Sequence, residues 1–255
     1  MTRLFRSLCG SASCQVLIGV AGLLFATRPA ESQSEPARVI VSCPPGNQSA
    51  AFKPFSTMYS RGESVQTDAV VSTVSTVIQE VQRTSFPELA HVDLRVRIFR
   101  SHADYFRTRF SFSRFLLFMP MQYFTDVNPA LFQEQAPSDG VCAILAHELV
   151  HIASLSRGNR VRRFSLVRLL SKRQTAKFER RTDLEAIHRG YGDGLKSYRE
   201  WVYAHIPSDK LPEKRRNYFS PEEIGAIQIF LEKQPKLFEF WRAHVPMSLR
   251  EIQKN

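Results

Sequence analysis

The segment 143–153, AILAHELVHIA, constrains this chain more than any other part of it. With Val141 before it, the stretch is apolar and free of helix breakers, so it reads as a helix sunk in a core. Into that core it carries His147, Glu148 and His151. Two imidazoles and a carboxylate are costly to desolvate unless they are paired or bound to a cation. Residues four apart share one helix face, so His147 and His151 can converge on one ion at about 2.0–2.1 Å per bond, the distance of a zinc–imidazole bond. Glu148 projects from the adjoining position, where it can hold a metal-bound water and take its proton. A triplet of this kind arises by chance in roughly one chain in a hundred. The buried setting and a third ligand downstream raise it above chance.

A catalytic zinc takes three protein ligands and leaves its fourth position to water. The third is expected within 178–194, FERRTDLEAIHRGYGDG, where Glu179 and Asp183 lie four apart on one face of a helix that Gly190, Gly192 and Gly194 end. Glu179 is the expected ligand. Asp183, one turn on, is expected to accept the free N–H of a ligating histidine and so fix its tautomer. Asp183 or Glu185 can fill the ligand position instead, and an ion pair with Arg180 or Arg181 accounts for any of the three acids without a metal.

This pattern, HExxH followed by a glutamate-x-x-x-aspartate on a second helix, resembles the gluzincin group of zinc metallopeptidases, the thermolysin-like enzymes among them. The matching residues are His147, Glu148, His151, Glu179 and Asp183. The resemblance implies a zincin-like fold, Zn²⁺ as cofactor, a peptide or protein substrate and Glu148 as general base. A metzincin pattern does not fit, because it wants glycine at 154 and histidine at 157, where this chain has Ser154 and Arg157. Gluzincins also place tyrosine and histidine beside the transition state. Tyr191, Tyr198, Tyr203, His188 and His205 are the candidates, with no local motif to choose between them.

The chain opens with Arg3 and Arg6, then an apolar run over 16–26, the pattern of a secretory signal and too short to span a bilayer. Small residues place the expected cleavage after Ser32 or Ser34. The expected organisation is a signal peptide at 1–32, an irregular segment at 33–63 and a metallopeptidase-like domain at 64–255, exported to the periplasm or the extracellular space. Cys9 and Cys14 leave with the signal. Cys43 and Cys142 remain, and an oxidising compartment permits them to pair, although Cys142 equally suits a buried helix position as a free thiol.

Net charge is +11 over 255 residues, which favours acidic partners in general terms. No nucleic-acid-binding signature accompanies it, so no nucleic-acid partner is expected. The segment 157–181 holds ten Lys/Arg against one acid with apolar residues interleaved. It suggests either a solvated helix packed on the domain or a peripheral contact with an anionic membrane surface.

Val70, Val71, Val74, Val77, Ile78 and Val81 have helical spacing that Pro87 ends, and Val92, Leu94, Val96 and Ile98 alternate as a strand with one wet face. A short polar helix is expected around 102–107. An edge strand within 110–124 is suggested by Pro120, which a central strand does not tolerate, and such an edge next to the metal helix can pair with an extended substrate. The same aromatic stretch also reads as core or as a surface-seeking loop. Ser138 or Asp139 is expected to cap the metal helix, and Gly158 and Asn159 to stop it. Further on, 195–206 is helical, Ser220, Pro221 and Glu223 form a capping box, and Trp201 and Trp241 are packing residues. The fold class is therefore α+β, mostly helical, with a small mixed or antiparallel sheet preceding the metal-binding helix. Two readings compete with a zinc hydrolase: a zinc-holding protein without catalysis, and a membrane-surface protein built on 157–181.

Overall fold

Four of the five valines of the first helix reach the core, and Val71 stays half-buried. In α1 (Thr67–Ser85), Val70, Val74, Val77, Ile78 and Val81 are buried, while the intervening polar residues face water. Burial of each such side chain is worth about 1.5–3 kcal/mol, which holds a helix of otherwise modest propensity in place. The computed structural model describes Cys43 and residues 67–111, 113–114, 117, 119–157 and 171–254. The expected signal peptide, most of the irregular segment, the Gly158–Asn159 stop and most of the basic segment after it lie outside the described residues.

After a 3₁₀ turn at Pro87–Leu89, β1 (Asp93–Ile98) alternates between exposed and half-buried residues, as its sequence pattern dictates. It is an edge of a three-stranded mixed sheet of order β1-β3-β2, pairing in parallel with β3 (Gln122–Val127), which pairs antiparallel with β2 (Phe106–Phe110). Two sequence expectations are corrected here. The 102–107 stretch is not helical, because the Ser101 hydroxyl accepts from the backbone N–H of Ala103 and Asp104, and Asn128 donates to the carbonyls of Ser101 and Asp104. These local bonds replace the helical ones, and the chain is extended from Phe106 on. The strand expected within 110–124 is also displaced. Pro120 precedes the strand, which starts at Gln122 and is central, so the edge facing the metal helix is β2.

A single helical turn at Ala130–Gln133 leads to α2 (Ser138–Arg157), in which every residue from Gly140 to Ala153 is buried. Ser138 and Asp139 sit in its first turn, where the Asp139 carboxylate accepts from Ser197. α2 is the axis of the molecule: it packs against α1, β2, α3 (Lys172–Ala186) and α4 (Gly192–His205). A π turn at Ile187–Tyr191 joins α3 to α4, and its bend rests on Gly190 at φ 90°, a conformation that an L side chain rarely adopts. Gly194 lies inside α4, where a Cβ would meet the backbone oxygen of Asp139 at 2.4 Å, so its lack of a side chain sets the close approach of α4 to α2.

Shorter helices close the chain: α5 (Leu211–Asn217), α6 (Pro221–Lys233), α7 (Leu237–Ala243) and α8 (Leu249–Gln253). The capping box is present as read, with Ser220 accepting from Glu223 N–H and Glu223 from Ser220 N–H. Buried Arg180 ties this region to α3, donating to Glu223, to the carbonyls of Arg215 and Arg216 and to that of Pro246. Trp241 is fully buried, and Trp201 packs its ring 4.6 Å from that of Tyr105. Cys43 and Cys142 are joined by a disulfide across a sequence separation of 99 residues, fastening the amino-terminal side of the domain to α2. The molecule is α+β and mostly helical, with its small mixed sheet before α2.

Candidate metal centre

α2 and α3 cross so that His147, His151 and Glu179 bring one ligand atom each to a common point. His147 Nε2 and His151 Nε2 are 3.1 Å apart, and Glu179 Oε2 lies 3.3 Å from the first and 3.2 Å from the second. A tetrahedral zinc with bonds of about 2.0–2.1 Å spaces its ligand atoms about 3.3–3.4 Å apart. The observed triangle is that of one tetrahedral face, tight by a few tenths of an ångström.

The neighbours of the imidazoles fix which nitrogen faces this point. Asp183 Oδ1 lies 2.8 Å from His147 Nδ1, within hydrogen-bond distance though not well aligned. Thr182 Oγ1 donates to the Phe178 carbonyl, which leaves it an acceptor for His151 Nδ1 at 3.4 Å. Both Nδ1 positions thus face acceptors, so in the neutral rings they would carry the hydrogens and leave both Nε2 lone pairs towards the Glu179 carboxylate. Glu179 Oε2 is itself buried with no donor to accept from. Three such atoms packed at this spacing repel one another unless a proton or a metal cation lies between them, and two imidazole nitrogens with a carboxylate oxygen are a donor set that fits a metal ion.

Charge reinforces the arrangement. Burial presses the His147 imidazole downward, but its bonds and charge interactions with Asp183 and Glu179 outweigh this and raise it to about 9. Glu179 is pushed up by burial and held down more strongly by the two histidines, ending well below the usual carboxylate range. Asp183, fully buried, is likewise depressed: burial is overcome by the Arg199 guanidinium, by His147 and by the backbone N–H of Phe219. The metal-free site therefore holds a proton where a metal would displace it.

Three of the residues that the sequence offers as alternatives are engaged away from this point. Arg180 pairs with Glu223, so it is not the partner of Glu179. Glu185 pairs with Arg189 at 3.1 Å. Asp183 lies on the Nδ1 side of His147, away from the point where the three ligand atoms meet.

Glu148 is 6% exposed, and its Oε2 accepts from the Thr108 hydroxyl on β2. A small cleft of about 30 Å³ lies beside His147 and Glu148, walled by Tyr105, Tyr198, Tyr218 and Lys214. Among the five candidate tyrosines and histidines, Tyr198 lines this cleft. Tyr191 is hydrogen-bonded to Ser85, and Tyr203 carries the Arg215 guanidinium over its ring. His188 is stacked on Phe238, and His205 is exposed against the Trp201 carbonyl. Tyr218, absent from that group, is nearer the ligands, its ring 5.9 Å from that of His147 and covered by the Arg199 guanidinium at 4.2 Å. Burial, and after it the charges of Glu179 and Glu148, keep its hydroxyl protonated despite Arg199. Thr108, Thr182, Arg199 and Tyr218 were not legible as site residues, since no motif in the sequence joins them to the histidines.

No family model, no curated protein and no solved structure matches this chain.

Proposed function

We propose that the chain is an exported zinc-dependent metallopeptidase of gluzincin type with a zincin-like fold. The observation that carries the reading is the triangle of His147 Nε2, His151 Nε2 and Glu179 Oε2, backed by Asp183, with Glu148 lining the same small cleft as His147. His147, His151 and Glu179 would hold the zinc ion, which would supply a Lewis acid for acidifying water and steadying negative charge on a carbonyl oxygen. Glu148 accepts a proton from the attacking water and returns it to the leaving amine. Asp183 and Thr182 hold the imidazoles in the tautomers that leave Nε2 available. Tyr218, protonated at neutral pH and beside the cleft, is placed to donate to the oxygen that gains charge.

Support for the zincin-like layout comes from the order of parts: a mixed sheet whose edge strand β2 lies against the metal helix, then a second helix bearing the third ligand. That edge, in place of the 110–124 stretch, is the one suited to an extended substrate. Export is supported by the Cys43–Cys142 disulfide, since such bonds persist in oxidising compartments. No helix among the described residues is long and apolar enough to cross a membrane.

The test is a peptide-library digest by wild type and Glu148→Gln. The variant is expected to keep its zinc and to lose about 10²-fold or more of its turnover, the usual contribution of a general base. Undiminished cleavage by Glu148→Gln removes the proposed base. A wild type that holds zinc and cleaves nothing favours the zinc-holding, non-catalytic reading.

A further inference from the structure

The described residues offer three features beyond the ligands: the cleft wall at Lys214, the pocket beside Arg181 and Arg242, and the contact of β2 with Glu148. At the first two, Lys214 already pairs with Asp104 and Arg242 with Glu239, and nothing in either pocket points to a particular ligand. The third places a neutral side chain on the very group that the mechanism needs.

We propose that Thr108 is a positioning residue for Glu148, holding one carboxylate oxygen so that the other faces the water. The inference rests on the metallopeptidase reading and deepens it. Thr108 lies in the middle of β2, paired with Thr125 of the central strand, so its backbone is fixed by the sheet. A β-branched side chain on a strand has few χ1 options, which makes it a stiff support. Its single O–H is given to Glu148 Oε2, and its oxygen also lies 3.4 Å from the Glu148 main-chain carbonyl. The hydroxyl is thus lodged against both ends of the glutamate side chain. Glutamate has three rotatable bonds, and a base that must meet water at one position gains from losing that freedom before substrate arrives. Oε2 is the tethered oxygen, leaving Oε1 to take the proton. The tether also joins β2 to α2, so the strand suited to an extended substrate and the proposed base are held in one frame.

Thr125 provides an internal control. It is the cross-strand partner of Thr108 and so shares its face of the sheet, it is fully buried, and its hydroxyl has no hydrogen-bond partner. It makes no bond to either oxygen of Glu148.

The experiment compares wild type, Thr108→Val, Thr108→Ser and Thr125→Val for zinc content, thermal stability, kcat and KM on one peptide found in the library digest. Thr108→Val is expected to lower kcat about 10–100-fold with zinc content and KM unchanged, the range seen when a supporting hydrogen bond to a metal site is lost. Thr108→Ser is expected to restore kcat to within a few-fold of wild type, and Thr125→Val to leave it there. Thr108→Val with wild-type kcat overturns the assignment, as does an equal loss in Thr125→Val, which would trace the effect to sheet packing. If Thr108→Val does not fold, Thr108→Ala and Thr108→Ser decide: loss in Ala with recovery in Ser supports the tether, and equal loss in both overturns it. An inactive wild type is recognisable as failure of the peptidase reading and takes this assignment with it.

Discussion

Asp183 is fully buried and receives three groups at once, the His147 ring, the Arg199 guanidinium and the Phe219 N–H. Its carboxylate therefore faces the His147 ring from the side opposite Glu179. Asp183→Asn keeps the shape but removes the charge, and is expected to weaken zinc binding about 10–100-fold, measured by competition with a chelator. A gentler substitution is needed because Asp183→Ala would leave Arg199 buried without its partner. The proton held by the metal-free site gives a second expectation. A histidine raised from 6.5 to about 9 contributes stability in full below about pH 6.5 and loses it as pH rises through about 9. Denaturation of the zinc-free protein is thus expected at lower temperature at pH 9.5 than at pH 6, and zinc should abolish that difference because it displaces the same proton. At this scale the clustering of His147, His151 and Glu179, with Asp183 beside His147, was legible, since helical spacing is rigid enough to place residues three and four apart without a structure. Thr108 and Tyr218 were not, because each comes from an element whose approach to α2 no local pattern encodes.

The elements differ in how much of themselves they announce. α1 was readable from its valines, α2 from its unbroken apolar run and α6 from its capping box, because each signal is local. The sheet was harder: β1 showed its alternation, but β2 was masked by polar residues between Phe106 and Phe110 and by a preceding turn that hydrogen bonds from Ser101 and Asn128 impose. The glycines were misread in an instructive way. Gly190 does interrupt the helical path, whereas Gly194 serves packing between two helices and ends nothing. Gly194→Ala is accordingly expected to destabilise the fold by about 1–3 kcal/mol, because the obstacle is the backbone oxygen of Asp139, which a rotamer change cannot move. Urea denaturation measures this, and a value near zero would mean that α2 and α4 can separate freely. The same shift would move Tyr198 and Arg199 relative to His147, so zinc affinity should fall with stability.

Across the whole molecule, a buried helix and a helix crossing it bring His147, His151 and Glu179 to a point where they could hold one metal ion. The disulfide adds a covalent link from Cys43 to the helix that carries both histidines, five residues before the first of them. Among the described residues, the cations near the site include Arg199 and Lys214, matched by Asp183 and Asp104. The most direct measurement is metal analysis of purified wild type beside His147→Ala and Glu179→Ala, each dialysed after exposure to zinc. About one zinc per chain in the wild type, lost from both variants while their folds persist, is the expected result. A wild type that retains no zinc, or a Glu179→Ala variant that holds it as tightly as wild type, contradicts the account.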